Sequence, residues 1–248
     1  MDPGCKLSKE QCPSTPEEMA EMKDIPYIHA VGSLMYLAIA TRPDIAYTVG
    51  VLARFNSNPG PAHWNAVKHL FKYLKGTLDY KLTYGPGSSS SSELFTTYSD
   101  ADHGGYKSTG RSTGAWVVKI GTGTVSWSSK LQSIVTLSTT EAEYIAAVSA
   151  GQEILWLRNL FSEMGYMVEG GSTLYIDNRS AISVAKNPEH HGRLKHLDLR
   201  FYWLRDVVEA GTIKVVHIPT SEMPADVLTK GLVGVKVNIG REMLGLKG

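Results

Sequence analysis

The stretch Gly114-Ala115-Trp116-Val117-Val118-Lys119-Ile120-Gly121-Thr122-Gly123-Thr124-Val125-Ser126-Trp127-Ser128-Ser129 decides how the rest of the chain is read. Two runs of strand-forming residues flank a Gly-Thr-Gly turn, which is the pattern of a β-hairpin. Leu94 to Asp100 precedes them as another strand-like run, so three strands follow one another. Ser138-Thr139-Thr140-Glu141 then opens a long helix with a capping-box pattern, and Gly165 stops it. Beyond it, Leu174-Tyr175-Ile176-Asp177 reads as a short strand and Ser180 to Lys186 as a short helix ended by Asn187-Pro188. Leu197 to Ala210 makes another helix, capped by Gly211; Thr212 to His217 is the last strand, and Pro224 starts the last helix. Hairpins followed by βαβ crossovers predict one mixed sheet with helices packed on it, an α/β fold.

Upstream the periodicity is helical. Residues 1–26 form a polar, acid-leaning arm. Val31, Leu34, Met35 and Ala38 make a 3–4 spaced stripe ending near Thr41, and Pro43 suits the first turn of a second helix running to about Phe55. Asn56-Ser57-Asn58-Pro59-Gly60-Pro61 breaks the pattern. A third helix then places Trp64, Val67, Phe71 and Leu74 on one face, with Lys68, Lys72 and Lys75 as a basic stripe opposite. This small all-helical unit covers residues 27–84. Gly85-Pro86-Gly87 and the serines from Ser88 to Ser92 read as a linker over 85–93, before a sheet domain at 94–231 and a tail at 232–248.

Composition narrows the class. A 42% hydrophobic content supplies a sizeable core, and 25 basic against 24 acidic residues leave +1, so only local charge can point to nucleic acid. The longest mostly apolar stretch, Ala30 to Ala40, is too short to span a bilayer. Met1-Asp2-Pro3-Gly4 has neither the basic nor the apolar region of a secretory signal, and Cys5 and Cys12 have no second pair to complete a zinc site. The expectation is an intracellular protein, cytoplasmic or nuclear, with no membrane partner and no disulfide.

Strand ends are where open α/β sheets place chemistry. Asp100 and Asp177 both end strands; a single such Asp is commonly a turn former, but two on neighbouring strands meet, and close carboxylates need a cation or a proton between them. Oxygen ligands without a Cys or His cluster suit a hard cation such as Mg²⁺. Glu141 and Glu143 lie roughly 200° apart around their helix, so only one faces the sheet. Glu143 shares the stripe of Ala146, Ala147 and Ala150, whose small side chains allow close approach, while Glu141 fits the capping role. Asp226 falls in the first turn of the predicted last helix, where the dipole favours a carboxylate with or without a function.

Tyr98-Ser99-Asp100-Ala101-Asp102, Ser126-Trp127-Ser128-Ser129-Lys130, Ser138-Thr139-Thr140-Glu141-Ala142-Glu143-Tyr144, Lys195-His196-Leu197-Asp198 and Ala225-Asp226-Val227-Leu228-Thr229-Lys230 together resemble the RNase H domain of Copia-type retrotransposon polyproteins. Ile25-Pro26-Tyr27, Gly32-Ser33-Leu34-Met35-Tyr36-Leu37 and Thr41-Arg42-Pro43-Asp44-Ile45-Ala46 resemble the helical tail of that family's reverse transcriptase, and Met243-Leu244-Gly245-Leu246 is similar to the polyprotein end. The resemblance implies an RNase H-like five-stranded mixed sheet (βββαβαβα). It also implies that Asp100, Glu143, Asp177 and Asp226 hold two Mg²⁺ ions, with Mn²⁺ as an alternative, to hydrolyse the RNA strand of an RNA–DNA hybrid. His217 matches a family histidine that aids proton transfer or product release, and is otherwise a polar strand-end residue. Reverse transcriptase or other retroelement proteins are the further partners it implies. No Tyr-x-Asp-Asp polymerase turn occurs, so the chain is expected to be the nuclease end with the polymerase's last helices.

Substrate contacts are read from residue type. Gln132 and Asn178 are candidate readers of 2′-hydroxyls, and both are also good turn residues. The basic stretch His190 to His196, with Arg193 and Lys195, suits phosphates or a solvated helix face, and Lys68, Lys72 and Lys75 suit a helix tracking a duplex or an ordinary surface. Two other functions compete with the nuclease: a non-catalytic nucleic-acid- or protein-binding regulator captured from a retroelement, and a structural subunit of a reverse transcriptase.

Overall fold

The computed structural model describes residues 7–87, 93–186 and 198–248. The serines 88–92, the Asn187-Pro188 stop and the stretch 190–196 with Arg193 and Lys195 lie outside those residues. The elements in chain order are α1 (Pro16–Met22), α2 (Tyr27–Ala40), α3 (Ala46–Ala53), α4 (Pro61–Lys75) and β1 (Lys81–Leu82). They continue with β2 (Thr96–Ala101), β3 (Thr113–Ile120), β4 (Gly123–Leu131), α5 (Thr139–Glu163), β5 (Ser172–Ile176) and α6 (Arg179–Lys186). The chain closes with α7 (Asp198–Glu209), β6 (Ile213–His217), α8 (Gly234–Met243) and β7 (Leu246–Lys247).

The five long strands form one mixed sheet in the order β4-β3-β2-β5-β6. β2, β3 and β4 run antiparallel, while β5 joins β2, and β6 joins β5, in parallel. This is the RNase H-like sheet that the sequence predicts. Gly121 makes the β3–β4 turn possible: its φ of 57° is left-handed, and a Cβ there would lie 2.1 Å from the Gly85 carbonyl oxygen.

Period-two alternation along β3 divides its side chains between two cores. Val118 joins the cluster under α5, with Ala147, Ala150, Ile154, Leu174, Ile176 and Leu204. Ala115 and Val117 point to the other face and pack with Met223, Ala225, Leu228 and Leu244. α5 packs close over Gly114, where a Cβ would stand 3.2 Å from the Gln132 Nε2 and in ordinary contact with the Ala146 methyl at 3.4 Å. The helical unit has its own core of Tyr27, Val31, Leu34, Ile45, Leu52, Val67, Leu70 and Leu74. It leans on the sheet through β4, where the Trp127 indole donates to the Ala38 carbonyl at 2.8 Å.

Two expectations need correction. Met35 (38% exposed) and Phe71 (42%) are not core residues; Tyr27 and Leu70 take those places. One residue is about 100° of helix rotation, so Met35 and Phe71 sit a step past Leu34 and Leu70, beyond the reach of the partner helices. The segment from Pro224 is a short 3-10 turn, Pro224–Leu228, and the last helix is α8. The crossover between β5 and β6 carries two helices, α6 and α7, as the runs Ser180 to Lys186 and Leu197 to Ala210 predict.

Candidate metal centre

β2 and β5 pair with Ser99 opposite Ile176, so Asp100 and Asp177 leave the same edge of the sheet side by side. The start of α5 supplies the third acid. Ser138 caps the helix by accepting from the Glu141 N–H at 3.2 Å, and the Glu141 carboxylate accepts from the Leu137 N–H at 2.6 Å. With Glu141 committed to the helix entry, Glu143 faces the strand ends. One ligand oxygen from each of Asp100, Glu143 and Asp177 lies within 4.8 Å of the others.

Asp100 is 3% exposed and accepts from the Thr229 hydroxyl at 2.5 Å. Burial pushes its carboxyl up to about 6, against the pull of that hydroxyl and of the Lys230 ammonium, with the charges of Asp226 and Asp177 adding to the rise. Glu143 is 6% exposed, and burial followed by the charges of Asp100 and Asp177 pushes it up to about 10. Its Oε2 is buried with no hydrogen-bond partner among the described residues. Asp177 is half-buried and accepts from the Thr220 hydroxyl at 2.7 Å. Three hard oxygen donors, one of them orphaned, and no nitrogen or sulfur in the set fit a divalent cation of the Mg²⁺ class.

Asp226 lies on the 3-10 turn outside that group of three, although its charge reaches Asp100. Its carboxylate pairs with Lys230. Burial works against the Lys230 charge, but the bond to Asp226 and the fields of Asp100, Asp226 and Asp177 outweigh it and raise its pKa. Sequence reasoning missed Lys230 as part of this site; its i, i+4 spacing from Asp226 was the available signal.

The remaining candidates are dispersed. His217 is exposed at the end of β6, opposite Ile176 and so one residue from Asp177 in register. Asn178 caps α6, its Oδ1 accepting from the Ala181 N–H at 3.0 Å. Gln132 is 6% exposed, and its Nε2 donates to the Ala142 carbonyl at 2.8 Å. Both side chains hold backbone beside the acids. Lys68, Lys72 and Lys75 are exposed along α4, as their stripe predicts. Arg193 and Lys195 lie outside the described residues.

Strand order, register and an acidic trio at the carboxyl edge of β2 and β5 define a protein of the RNase H fold class. No protein-family model matches the chain. It is 44% identical over 241 residues, 97% of its length, to the retrovirus-related Pol polyprotein from transposon TNT 1-94 of Nicotiana tabacum. It is 39% identical over 206 residues, 83% of its length, to that from transposon RE2 of Arabidopsis thaliana. It is also 46% identical over 136 residues, 55% of its length, to secreted RxLR effector protein 161 of Plasmopara viticola, of which it covers 94%. Its homologues include retrovirus-related Pol polyproteins from Copia-type plant transposons. It spans 18% of the tobacco polyprotein and 14% of the Arabidopsis one. Among solved structures it is similar to LC11-RNase H1 from compost, at 18% identity and TM-score 0.42, covering 55% of this chain and 93% of that one. It is similar also to a foamy viral protease-reverse transcriptase, at 13% identity and TM-score 0.43, covering 83% and 27%.

Proposed function

We propose that this chain hydrolyses the RNA strand of RNA–DNA hybrids at a two-metal centre held by Asp100, Glu143 and Asp177, with Asp226 as a further ligand. One observation carries the reading: three carboxylates from β2, α5 and β5 converge within 4.8 Å, two of them buried, and a purely structural site has no use for such repulsion. When bound, a pair of Mg²⁺ ions activates a water and stabilises the attacking and leaving oxygens of an in-line displacement. The chain's own part is to hold and aim the ligands. Thr229 fixes one oxygen of Asp100, Thr220 fixes one of Asp177, and the capped start of α5 fixes Glu143. Lys230 engages one oxygen of Asp226 and leaves the other to serve a metal. His217, exposed one residue from Asp177 in register, is placed to carry a proton at the edge of the centre. The family motifs support the same reading, because Asp100, Glu143, Asp177 and Asp226 are the residues that the resemblance assigns.

The test is cleavage of labelled hybrid, duplex RNA and duplex DNA, each with Mg²⁺ and with EDTA. Cutting confined to the RNA of the hybrid and abolished by EDTA is expected. Equal cutting of duplex DNA, or activity in EDTA, overturns the reading.

A further inference from the structure

A cavity of about 680 Å³ opens between α4, the start of α3, the segment after the 3-10 turn, and α8. That size suits a small organic ligand. Its polar lining is chemically mixed. Tyr47, His69 and Tyr73 contribute rings, Asn65 and Asn238 contribute amides, and Lys230 contributes an ammonium. Asp44 also reaches the wall, but its carboxylate is already engaged. Arg42 donates to both of its oxygens at 2.9 and 2.8 Å, and the Tyr73 hydroxyl donates at 2.6 Å, so it offers little repulsion to an incoming anion.

Rings, amides and a cation match the base face, the base edge and the phosphate of a nucleotide. Aromatic faces stack bases, amides pair with base edges, and an ammonium holds a phosphate. We infer that this cavity is a nucleotide subsite, separate from the acidic trio and joined to it only through Lys230. That residue lines the cavity while its Nζ meets Asp226 and its charge acts on Asp100, so a phosphate there adjoins the metal centre. Two sources supply this chemistry: a free nucleoside monophosphate, or an unpaired nucleotide extending from the substrate. The second source rests on the hybrid-nuclease reading; the subsite itself does not.

Calorimetric titration in EDTA separates the two ideas, since no catalysis is needed. AMP is expected to bind, and adenosine to bind at least about tenfold more weakly for want of the phosphate. Ala66→Trp fills the cavity, and Asn65→Asp, at an exposed position, replaces an amide that meets the base edge with a carboxylate that repels the nucleotide. Each should weaken AMP binding by about tenfold or more with an unchanged circular dichroism spectrum. A hybrid with an unpaired extension should bind more tightly than the same blunt duplex, and Ala66→Trp should erase that difference. If overhang and blunt hybrids bind alike while AMP binds, the free nucleotide is the occupant. No AMP binding at millimolar concentration, equal affinity for adenosine, or AMP binding untouched by both variants overturns the subsite.

Discussion

Among the described residues, two of the places that bury carboxylates are built on opposite principles. The side chain of Asp44, in the helical unit, is fully buried, but the Arg42 guanidinium grips it with two hydrogen bonds and Tyr73 adds a third. At the edge of the sheet, Asp100 and Glu143 are nearly as buried and face another acid instead. The Thr229 hydroxyl and the nearby Lys230 offset part of the cost at Asp100, and a backbone hydrogen bond at Ala101 part of it at Glu143, while one Glu143 oxygen has no partner among the described residues. Removing a charge from water costs several kcal/mol unless something opposite replaces the hydration. In the first place the chain supplies that opposite charge itself. In the second it leaves the deficit open, which is how a binding site for an external cation differs from a structural ion pair.

The largest effect should come from closing the deficit. Asp177→Asn and Glu143→Gln are each expected to lower hybrid cleavage by about a thousandfold or more, whereas Glu141→Gln should stay within about tenfold of the parent, because that carboxylate anchors the helix entry. Activity of Asp177→Asn within tenfold of the parent breaks the contrast. In EDTA, Asp100→Asn should melt no lower than the parent, since it removes repulsion, and added Mg²⁺ should raise the parent's Tm more than the variant's.

Breaking the compensated pair has the opposite signature. Arg42→Met leaves Asp44 buried without a counter-charge, held only by the Tyr73 hydroxyl, and should cost about 3 kcal/mol in urea unfolding; adding Asp44→Leu should recover much of it. A loss no greater than a surface substitution would falsify the claim that Arg42 supplies the missing charge.

A smaller, pH-dependent effect belongs to His63, a buried base that also lacks a counter-charge. Its Nδ1 accepts from the Gly60 N–H at 2.8 Å, its Nε2 lies 3.3 Å from the Ser8 carbonyl, and its ring stacks on Phe55 at 4.0 Å. Burial lowers its pKa from the usual 6.5, only partly opposed by the Ser8 contact. The unfolded chain then binds the proton more readily than the folded one. The stability contributed is fully present above 6.5, erodes as pH falls below it, and is gone once pH has passed the depressed folded value. Denaturation between pH 7.5 and 5 should show this decline in the parent, and His63→Gln should flatten it.

The least perturbing test concerns Lys68, Lys72 and Lys75. Their triple change to Ala should shift stability by less than about 0.5 kcal/mol per site, yet raise KM for hybrid and flatten its salt dependence with kcat nearly unchanged, if α4 meets phosphates. Unchanged KM and salt slope would leave α4 as scaffold and confine the open charge deficit to the sheet edge.

Much of the acidic cluster was readable because its residues sit at positions that local rules locate. Asp100 and Asp177 close short strands, and the 200° between Glu141 and Glu143 forces a choice that the alanine stripe settles. What stayed hidden depends on partners distant in sequence. Nothing near Arg42 shows that Tyr73 and Thr77, from α4 and the residues after it, will enclose its pair with Asp44. Met35 and Phe71 were misplaced because apolar spacing marks a helix face without revealing how wide the partner surface is. Lys230 was quoted within a motif but drew no role, since only the 3-10 turn aims it back at the acids. Gln132 and Asn178 carry polar side chains that suit substrate as well as turns, and composition alone could not show that Ala142 and Ala181 already engage them.

The small sheet of β1 and β7 has a kinetic meaning. It pairs Leu82 with Leu246, and Thr83 bonds the Gly245 carbonyl 162 positions further along the chain. Contacts within the helical unit and within the β2–β4 meander are short in sequence and close early, when little chain entropy has to be surrendered. The two-residue clasp closes a loop of 162 positions for few hydrogen bonds, so it belongs late on the folding route. Damage to it should therefore leave the refolding rate almost alone and hasten unfolding, which makes this pair of two-residue strands a determinant of how long the native state lasts.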